Sequence, residues 1–87
     1  MRLDKYLKVS RLIKRRTMAK AVADQGRVKI NGQKAKAGTE VKLGDELDVL
    51  FGQKHVNLRI DRIEEKAKKE DAATFYTILS EEKINND

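Results

Sequence analysis

The hydrophobic pattern changes its period at Gly26, and this change constrains the fold more than any other feature of the sequence. Before Gly26 the apolar residues recur every three or four positions, which is typical of helices. After it, short segments alternate apolar and polar residues, which is typical of strands. Because 87 residues suit one small domain, helices followed by strands predict a single α+β domain over residues 1–87.

The part before Gly26 predicts two helices that meet at a corner. Residues 2–12 form the first helix, whose apolar stripe consists of Leu3, Tyr6 and Leu7. Residues 18–25 form the second, with Thr17 as N-cap and Gly26 as the left-handed residue after its end. The inner face of the second helix is predicted to contain Met18, Ala19, Val22 and Ala23. Because only a short basic segment connects the helices, we expect a compact αα corner.

The part after Gly26 predicts an antiparallel sheet. Asn31-Gly32 is the strongest short hairpin signal, and it lies between the alternating segments 27–30 and 33–36. Residues 46–51 and 55–60 alternate in the same way and predict two further strands. Beyond residue 60 the sequence is highly charged. There we predict a short C-terminal helix with Asp71 as N-cap and one face made of Ala72, Phe75, Tyr76 and Leu79.

Positive charge is concentrated in the first third of the chain. Residues 1–36 carry twelve Lys/Arg against two Asp/Glu, a net charge of +10, whereas residues 37–87 carry eight against twelve, a net charge of −4. Such an asymmetry indicates that a polyanion faces the first third. A solubilising surface is the alternative, but cations this dense repel one another in the free protein. We therefore expect a protein that binds nucleic acid.

The densest basic cluster lies at the predicted corner. Arg2 and Lys5 open the first helix, where the helix dipole makes cations mildly unfavourable unless an anion binds there. Arginine dominates the rest of the corner, and a guanidinium can donate two parallel hydrogen bonds to one phosphate. The candidate RNA-binding residues are Arg2, Lys5, Arg11, Lys14, Arg15, Arg16 and Lys20.

The aromatic residues favour folded RNA that is recognised by shape and backbone. The chain has two Tyr and two Phe, and none lies in an exposed strand pattern that would stack single-stranded bases. Tyr6 lies on the apolar stripe and is expected in the core. A DNA-binding regulator stays an alternative because an αα corner resembles a helix-turn-helix. Against it, Gln25 is the only amide of the second helix that could read bases.

The sequence offers little material for catalysis, metal binding or membrane insertion. Cysteine is absent and His55 is the only histidine, so neither a nucleophile–base pair nor a metal-ligand spacing is apparent. No uncharged run reaches ten residues, which is too short for a membrane span. We expect a cytoplasmic protein that is not an enzyme, needs no cofactor or metal, and does not contact a membrane.

A spaced set of residues carries a resemblance to a known family. The set consists of residues 2–7, Arg11, residues 14–19, residues 26–32 and Gly44-Asp45. It resembles the S-four RNA-binding domain, also called the alpha-L motif, over residues 1–50, and residues 51–87 add a strand and a C-terminal helical extension. The resemblance implies a two-helix corner packed on a small, strongly bent antiparallel sheet, with RNA bound across the corner.

The resemblance also ranks the candidate residues. Arg2 and Arg16 come first, followed by Arg11, Lys14 and Arg15. Asp4 matches the family as well, and we expect it to orient neighbouring arginines or to cap the helix rather than to touch RNA.

Within that family the resemblance is greatest to small bacterial ribosome quality-control factors, with the fifteen-kilodalton heat-shock proteins as relatives. It implies binding to large ribosomal subunits obstructed by peptidyl-tRNA, with contacts to large-subunit ribosomal RNA and to the tRNA. It also implies a monomer that cooperates with an RqcH-type tRNA-recruiting factor in alanine tailing of stalled chains. Two alternatives stay open: a heat-shock-type recycling factor for large subunits, and an RNA-binding accessory of an RNA-modifying enzyme.

Overall fold

Within residues 1–83, which the computed structural model describes, two helices are followed by a five-stranded sheet. The helices are α1 (Leu3–Val9) and α2 (Arg16–Asp24), and the strands are β1 (Val28–Ile30), β2 (Gln33–Lys34), β3 (Glu46–Phe51), β4 (Lys54–Ile60) and β5 (Tyr76–Lys83). All pairings are antiparallel, in the order β2-β1-β3-β4-β5. The predicted α+β class is confirmed. Residues 84–87, the end of the predicted extension, lie outside the described residues. Neither helix of residues 1–83 has the length and apolar character needed to cross a membrane.

Helix α1 ends at Val9, three residues before the predicted end. The backbone N–H of Ser10 donates to the Tyr6 carbonyl at 2.9 Å, and the next residue, Arg11, has a φ of 62°. This left-handed conformation cannot continue a right-handed helix, so it stops α1 in the way an αL cap does. The chain then turns back at once, and the Ile13 N–H donates to the Leu7 carbonyl at 3.1 Å. The corner between the helices is therefore tight.

Helix α2 begins at Arg16, with Arg15 as its N-cap, so the predicted N-cap role of Thr17 is wrong. Thr17 is already the second residue of the helix and its side chain is exposed. Met18, predicted to face inward, is 45% exposed because it lies in the first turn at the edge of the buried stripe. That stripe consists of Ala19, Val22 and Ala23. Gly26 has a φ of 77°, which confirms the left-handed end predicted for this helix.

The β1–β2 hairpin turns at Asn31 and Gly32, as the sequence predicts. Both residues have positive φ, 51° and 85°, which a type I′ turn requires. Strands β3 and β4 form the next hairpin and pair along the whole of β3. Their bounds agree with the two alternating segments found in the sequence to within one residue.

The predicted C-terminal helix is wrong, because residues 76–83 form strand β5 along the open edge of β4. Between β4 and residue 83, the only helical piece is a single 3₁₀ turn, Ala72–Thr74, and the Asp71 side chain makes no capping hydrogen bond to it. The apolar spacing of this segment fits a helix as well as a strand. Pairing with β4 decides between them, because it satisfies the backbone groups of both strands at once.

One core joins the helical corner to the sheet. Its members include Leu3, Leu7, Val22, Val28, Leu47 and Leu58. Tyr6 and Phe75 are its largest fully buried side chains, and their ring centroids lie 6.4 Å apart. The Tyr6 hydroxyl donates to the Phe75 carbonyl at 2.9 Å, so a buried polar atom is satisfied. The predicted core position of Tyr6 is confirmed, and this contact ties α1 to the C-terminal segment.

Candidate nucleic-acid interface

The buried carboxylate of Asp4 pairs with two arginines: Arg2, which precedes α1, and Arg16, the first residue of α2. The Asp4 side chain is only 3% exposed. Its Oδ1 lies 3.3 Å from Arg2 Nε, and its Oδ2 lies 3.4 Å from Arg2 Nη2 and 3.4 Å from Arg16 Nε. The Lys5 backbone N–H also donates to Oδ1, at 2.8 Å. Because a buried anion is costly unless it is paired, these contacts fix Asp4 and both guanidiniums together. We call Arg2, Asp4 and Arg16 the Asp4 cluster.

The backbone around Arg2 is anchored on a loop between β2 and β3. Arg2 forms an isolated antiparallel bridge with Glu40. On either side of it, the Leu3 N–H donates to the Thr39 carbonyl at 2.8 Å and the Val41 N–H donates to the Met1 carbonyl at 2.9 Å. These bonds hold the start of α1 in place, so the position of the Arg2 side chain does not depend on Asp4 alone.

The N-terminus of α2 contributes free donors next to Arg16. Arg16 is the first helical residue, the preceding Arg15 makes no side-chain cap, and the first turn contains no acidic residue. The first N–H groups of a helix have no intrahelical partner, and the positive end of the helix dipole lies there. Lys20 lies four residues after Arg16, hence on the same side of α2, and is exposed. This end of α2 therefore combines cations with unpaired amides.

The geometry of the Asp4 cluster suits an oxyanion. Two guanidiniums and one carboxylate leave a net positive charge, and the two arginine side chains are 54% and 46% exposed. Each guanidinium has five N–H donors. The contacts with Asp4 use two donors of Arg2 and one of Arg16. The remaining donors are held in a fixed arrangement, which reduces the entropy lost when a phosphate binds.

A second basic surface lies beside the C-terminal end of α1. It is a groove of about 590 Å³ whose lining consists of Lys8, Val9, Arg11, Lys14, Glu65, Lys66 and Ala67. We call it the basic groove. One wall comes from α1 and the turn after it, and the other comes from the irregular segment 61–71 between β4 and the 3₁₀ turn. Four cations and one carboxylate line it, so its potential is positive.

The Lys5 side chain pairs with Glu65, one of the groove residues. The hydrogen bond and positive charge of Lys5 lower the pKa of the Glu65 carboxyl below its ordinary value. Glu65 is 73% exposed and Lys5 is 33% exposed. Because the pair faces solvent, it adds little stability and can exchange partners.

The structure groups four of the seven predicted residues into two pairs. Arg2 and Arg16 both pair with Asp4. This is the contact that Asp4 must make if it orients neighbouring arginines, as the sequence predicts. Arg11 and Lys14 line the basic groove. The other three are Lys5, paired with Glu65, Arg15 at the N-cap of α2, and Lys20 on its exposed side.

Sequence reasoning missed two basic residues of the groove. Lys8 follows Lys5 and precedes Arg11 by three residues each, and this helical spacing of cations was a usable signal. Lys66 is separated from the rest by about fifty residues in sequence, and no local pattern indicates that it returns to α1.

The only histidine of the chain lies on the sheet. His55 on β4 has its Nε2 3.1 Å from Oδ1 of Asp48, and its side chain is 42% exposed. The same Asp48 oxygen accepts a hydrogen bond from Asn57 at 2.8 Å. Among residues 1–83, no three His, Cys, Asp or Glu side chains are grouped so that they could hold a metal ion.

Comparison with known proteins extends these observations along the chain. A family model of the S4 domain matches residues 1–47. The chain is 64% identical over 84 residues to the RQC P-site tRNA stabilizing factor of Bacillus subtilis, across 97% of this chain and 98% of that protein. It is 65% identical over 85 residues to the protein of the same name from Listeria innocua, across 98% and 92%. The trimeric structure of Vibrio cholerae heat shock protein 15 matches with a TM-score of 0.85 at 28% identity, across 92% of this chain and 82% of that one.

The match to the family model covers the two helices, the β1–β2 hairpin and the start of β3. It therefore includes the Asp4 cluster and the corner in which the cluster lies. The Bacillus and Listeria relatives carry the similarity through β5 as well. The chain belongs to the S4 domain family.

Proposed function

We propose that this chain is a non-catalytic RNA-binding factor of ribosome-associated quality control. It acts as a cytoplasmic monomer on large ribosomal subunits obstructed by peptidyl-tRNA. The observation that carries the proposal is the Asp4 cluster, in which one buried carboxylate presents two half-exposed guanidiniums at a basic corner. The name shared by the Bacillus and Listeria relatives, RQC P-site tRNA stabilizing factor, supports a role with tRNA.

The mechanism is electrostatic holding. The Asp4 cluster donates hydrogen bonds to one phosphate, and the unpaired amides at the start of α2 add to the same site. Arg11, Lys14, Arg15 and Lys20 give the corner further phosphate contacts. Recognition depends on backbone shape, since Tyr6, the aromatic side chain of α1, is buried and cannot stack on a base.

This mechanism suits a factor that keeps tRNA in place between cycles of elongation. The corner bridges large-subunit ribosomal RNA and peptidyl-tRNA, because an array of cations can neutralise phosphates of two molecules at once. An RqcH-type factor then delivers tRNA for C-terminal alanine tailing. Residues 1–50 carry the RNA-binding motif, and residues 51–87 form an extension that supports it.

A second candidate function is large-subunit recycling of the heat-shock type. The structural match to Vibrio cholerae heat shock protein 15, with its TM-score of 0.85, favours it. The two candidates differ in the factor that accompanies the chain on the large subunit. Large subunits isolated with the tagged chain should contain peptidyl-tRNA and the RqcH-type factor if the quality-control proposal is correct. Subunits that contain peptidyl-tRNA but never the RqcH-type factor would favour the second candidate.

The test of RNA binding is co-sedimentation with large ribosomal subunits on a sucrose gradient. We expect the wild-type protein to migrate with free large subunits, and Arg2→Ala and Arg16→Ala each to weaken binding about tenfold or more, because each removes a hydrogen-bonding partner of phosphate. Binding by the wild type should also fall steeply with added salt.

Arg59→Ala is the matched control. Arg59 lies on β4, is 48% exposed and pairs with Asp61 at 2.9 Å, so it has the exposure of Arg16 without its location. The control should bind as the wild type does. Unchanged binding by both Arg2→Ala and Arg16→Ala, with circular dichroism showing folded proteins, would contradict the proposed interface.

A further inference from the structure

The basic groove is assembled from parts of the chain that are far apart in sequence. Lys8, Arg11 and Lys14 form one wall, and Lys66 faces them from segment 61–71. The volume of about 590 Å³ is large enough to admit part of a ligand rather than a single ion. The fold brings Lys66, about fifty residues later in the chain, beside three other cations, which increases the repulsion in the free protein.

Segment 61–71 is anchored at both ends by hydrogen bonds and packs against the core. At its start, the N–H groups of Asp61 and Arg62 both donate to the Phe75 carbonyl, at 2.8 and 3.1 Å. At its end, the Lys68 carbonyl accepts from Asp71 and Ala72, at 2.9 and 3.2 Å. Ile63 and Ala67 of the segment pack against the core. These anchors hold Lys66 beside α1.

The opposite wall of the groove, formed by α1 and the turn after it, contains a residue with an unfavourable backbone conformation. Arg11 has a φ of 62°, in the left-handed region, where glycine would fit without strain and a side chain does not. The turn nevertheless places an arginine at this position. Arg11 lines the groove, so the residue in the strained conformation also contributes a cation to this surface.

The lining indicates which class of ligand fits. The floor is aliphatic, from Val9 and Ala67, and no aromatic side chain lines the groove. A nucleobase would therefore find no aromatic stacking partner there. Cations on both walls instead suit a backbone of phosphodiesters that runs along the groove.

The geometry points to the basic groove as a second RNA-binding site, which takes the phosphodiester backbone between α1 and segment 61–71. This inference rests on the RNA-binding function proposed above and extends its surface from Arg11 and Lys14 of the corner to Lys66 of segment 61–71. Glu65 acts in the free protein as an internal substitute for phosphate, since it pairs with Lys5 at the edge of the groove. When RNA binds, a phosphate takes the place of the Glu65 carboxylate, and Lys5 becomes an RNA contact.

The experiment measures the salt dependence of binding to purified large ribosomal subunits. Lys66→Gln should lower the slope of log affinity against log salt by about 0.7 to 0.9, the loss expected for one phosphate contact. The double variant Lys8→Gln/Lys66→Gln should lower it by about twice that amount. Glu65→Gln should raise the affinity by about two- to fivefold, because it frees Lys5 without removing a cation.

Lys54→Gln serves as the matched control. Lys54 begins β4, is 64% exposed and pairs with Glu81, and it does not line the groove. Its slope and affinity should equal those of the wild type apart from the general effect of one charge. All of these positions are exposed or lie in an exposed pair, so the variants should fold normally.

The outcomes separate this inference from the proposed function. If Arg16→Ala weakens binding while Lys66→Gln keeps the wild-type slope, segment 61–71 makes no RNA contact and the inference is wrong, whereas the corner still binds RNA. A Glu65→Gln variant that binds more weakly than the wild type would also overturn the inference, because it would make the Lys5–Glu65 pair a structural support. Failure of the wild-type protein itself to bind large subunits would overturn both.

Discussion

The helical corner and the end of the sheet differ in how their cations are paired with carboxylates. On β4, two exposed cations each have their own carboxylate: Lys54 lies 3.2 Å from Glu81 and Arg59 lies 2.9 Å from Asp61. In the corner, a single buried carboxylate serves both Arg2 and Arg16. Four further cations of the corner have no carboxylate partner among the described residues: Arg11, Lys14, Arg15 and Lys20.

The difference distinguishes charges that are already neutralised within the fold from charges that are available to bind a ligand. Exposed pairs that match one for one stabilise little but cost little. Unmatched cations repel one another until an external anion neutralises them. The corner is therefore the part of the molecule whose electrostatic free energy improves on binding a polyanion. The predictions below change either the coupling between the two regions or the charge balance of one of them.

The largest effect should come from Phe75→Ala, which breaks the attachment of the corner to the C-terminal segment. Phe75 is fully buried against Tyr6, so its removal leaves a cavity and should reduce the free energy of unfolding by about 3 to 5 kcal/mol. Chemical denaturation measures the change. Phe51→Ala is the matched control, because Phe51 is 37% exposed and should cost much less.

If the two regions divide their roles as proposed, the molecules of Phe75→Ala that stay folded should bind RNA as the wild type does. A titration of large subunits, corrected for the folded fraction, measures this. A loss of intrinsic affinity would mean that the Phe75 side chain also positions RNA-binding residues.

The second prediction concerns Asp4→Asn. This change raises the net charge by one, so unspecific attraction to RNA would increase the affinity. We expect the opposite, a loss of about tenfold, or about 1.4 kcal/mol, because an amide no longer holds the Arg2 and Arg16 guanidiniums against their mutual repulsion. Equilibrium binding at constant salt decides between the two expectations.

Asp61→Asn is the matched control for Asp4→Asn, since it makes the same change of charge beside Arg59 on the sheet. It should leave the affinity unchanged or raise it slightly. Equal effects of the two substitutions would mean that the corner acts through total charge alone.

The third prediction tests the hydroxyl that links the two regions. Burial, together with the negative charges of Asp61 and ionised Tyr76, raises the pKa of Tyr6 well above its ordinary value of 10.0. Since the unfolded chain releases this proton near pH 10 and the folded chain does not, the stability is fully present below pH 10. It is lost as the pH rises further, by at most about 1.4 kcal/mol per pH unit.

Tyr6→Phe removes both the hydrogen bond to the Phe75 carbonyl and this titration. It should lower the free energy of unfolding at pH 7 by about 0.5 to 1.5 kcal/mol. Above pH 10 the difference from the wild type should shrink, and denaturation at pH 7, 10 and 11 follows it. A constant difference across this range would show that Tyr6 ionises as easily in the folded state.

Local sequence patterns predicted the elements that depend on local interactions. The stripe of α1, the left-handed Gly26 and the turn at Asn31-Gly32 all follow from neighbours in the chain. Strand β5 does not, because its apolar spacing permits two conformations and the choice is made by the distant edge of β4. The end of α1 was missed because a non-glycine residue, Arg11, adopts positive φ against its intrinsic preference.

The site was predictable as a set of residues but not as an arrangement. Charge density and family resemblance selected Arg2 and Arg16, yet neither signal states that the two share the carboxylate of Asp4. That contact depends on the crossing of α1 and α2. In the same way, Lys66 is one of several lysines in a charged segment until the fold brings it to the groove.

The smallest change in stability should come from Thr17→Ala. This substitution tests whether Thr17, as the sequence predicts, or Arg15, as in the structure, is the N-cap of α2. If Thr17 capped α2, its removal would cost about 1 kcal/mol. In the structure Thr17 is exposed in the first turn, and Arg15 occupies the N-cap. We therefore expect a change within about 0.5 kcal/mol, as for an exposed position without special contacts. Thermal and chemical denaturation measure it, and a loss near 1 kcal/mol would mean that Thr17 caps α2 in solution and that the helix begins at Met18. In that case Arg16 would precede the helix, and the Asp4 cluster would lose the rigid element that positions one of its two arginines.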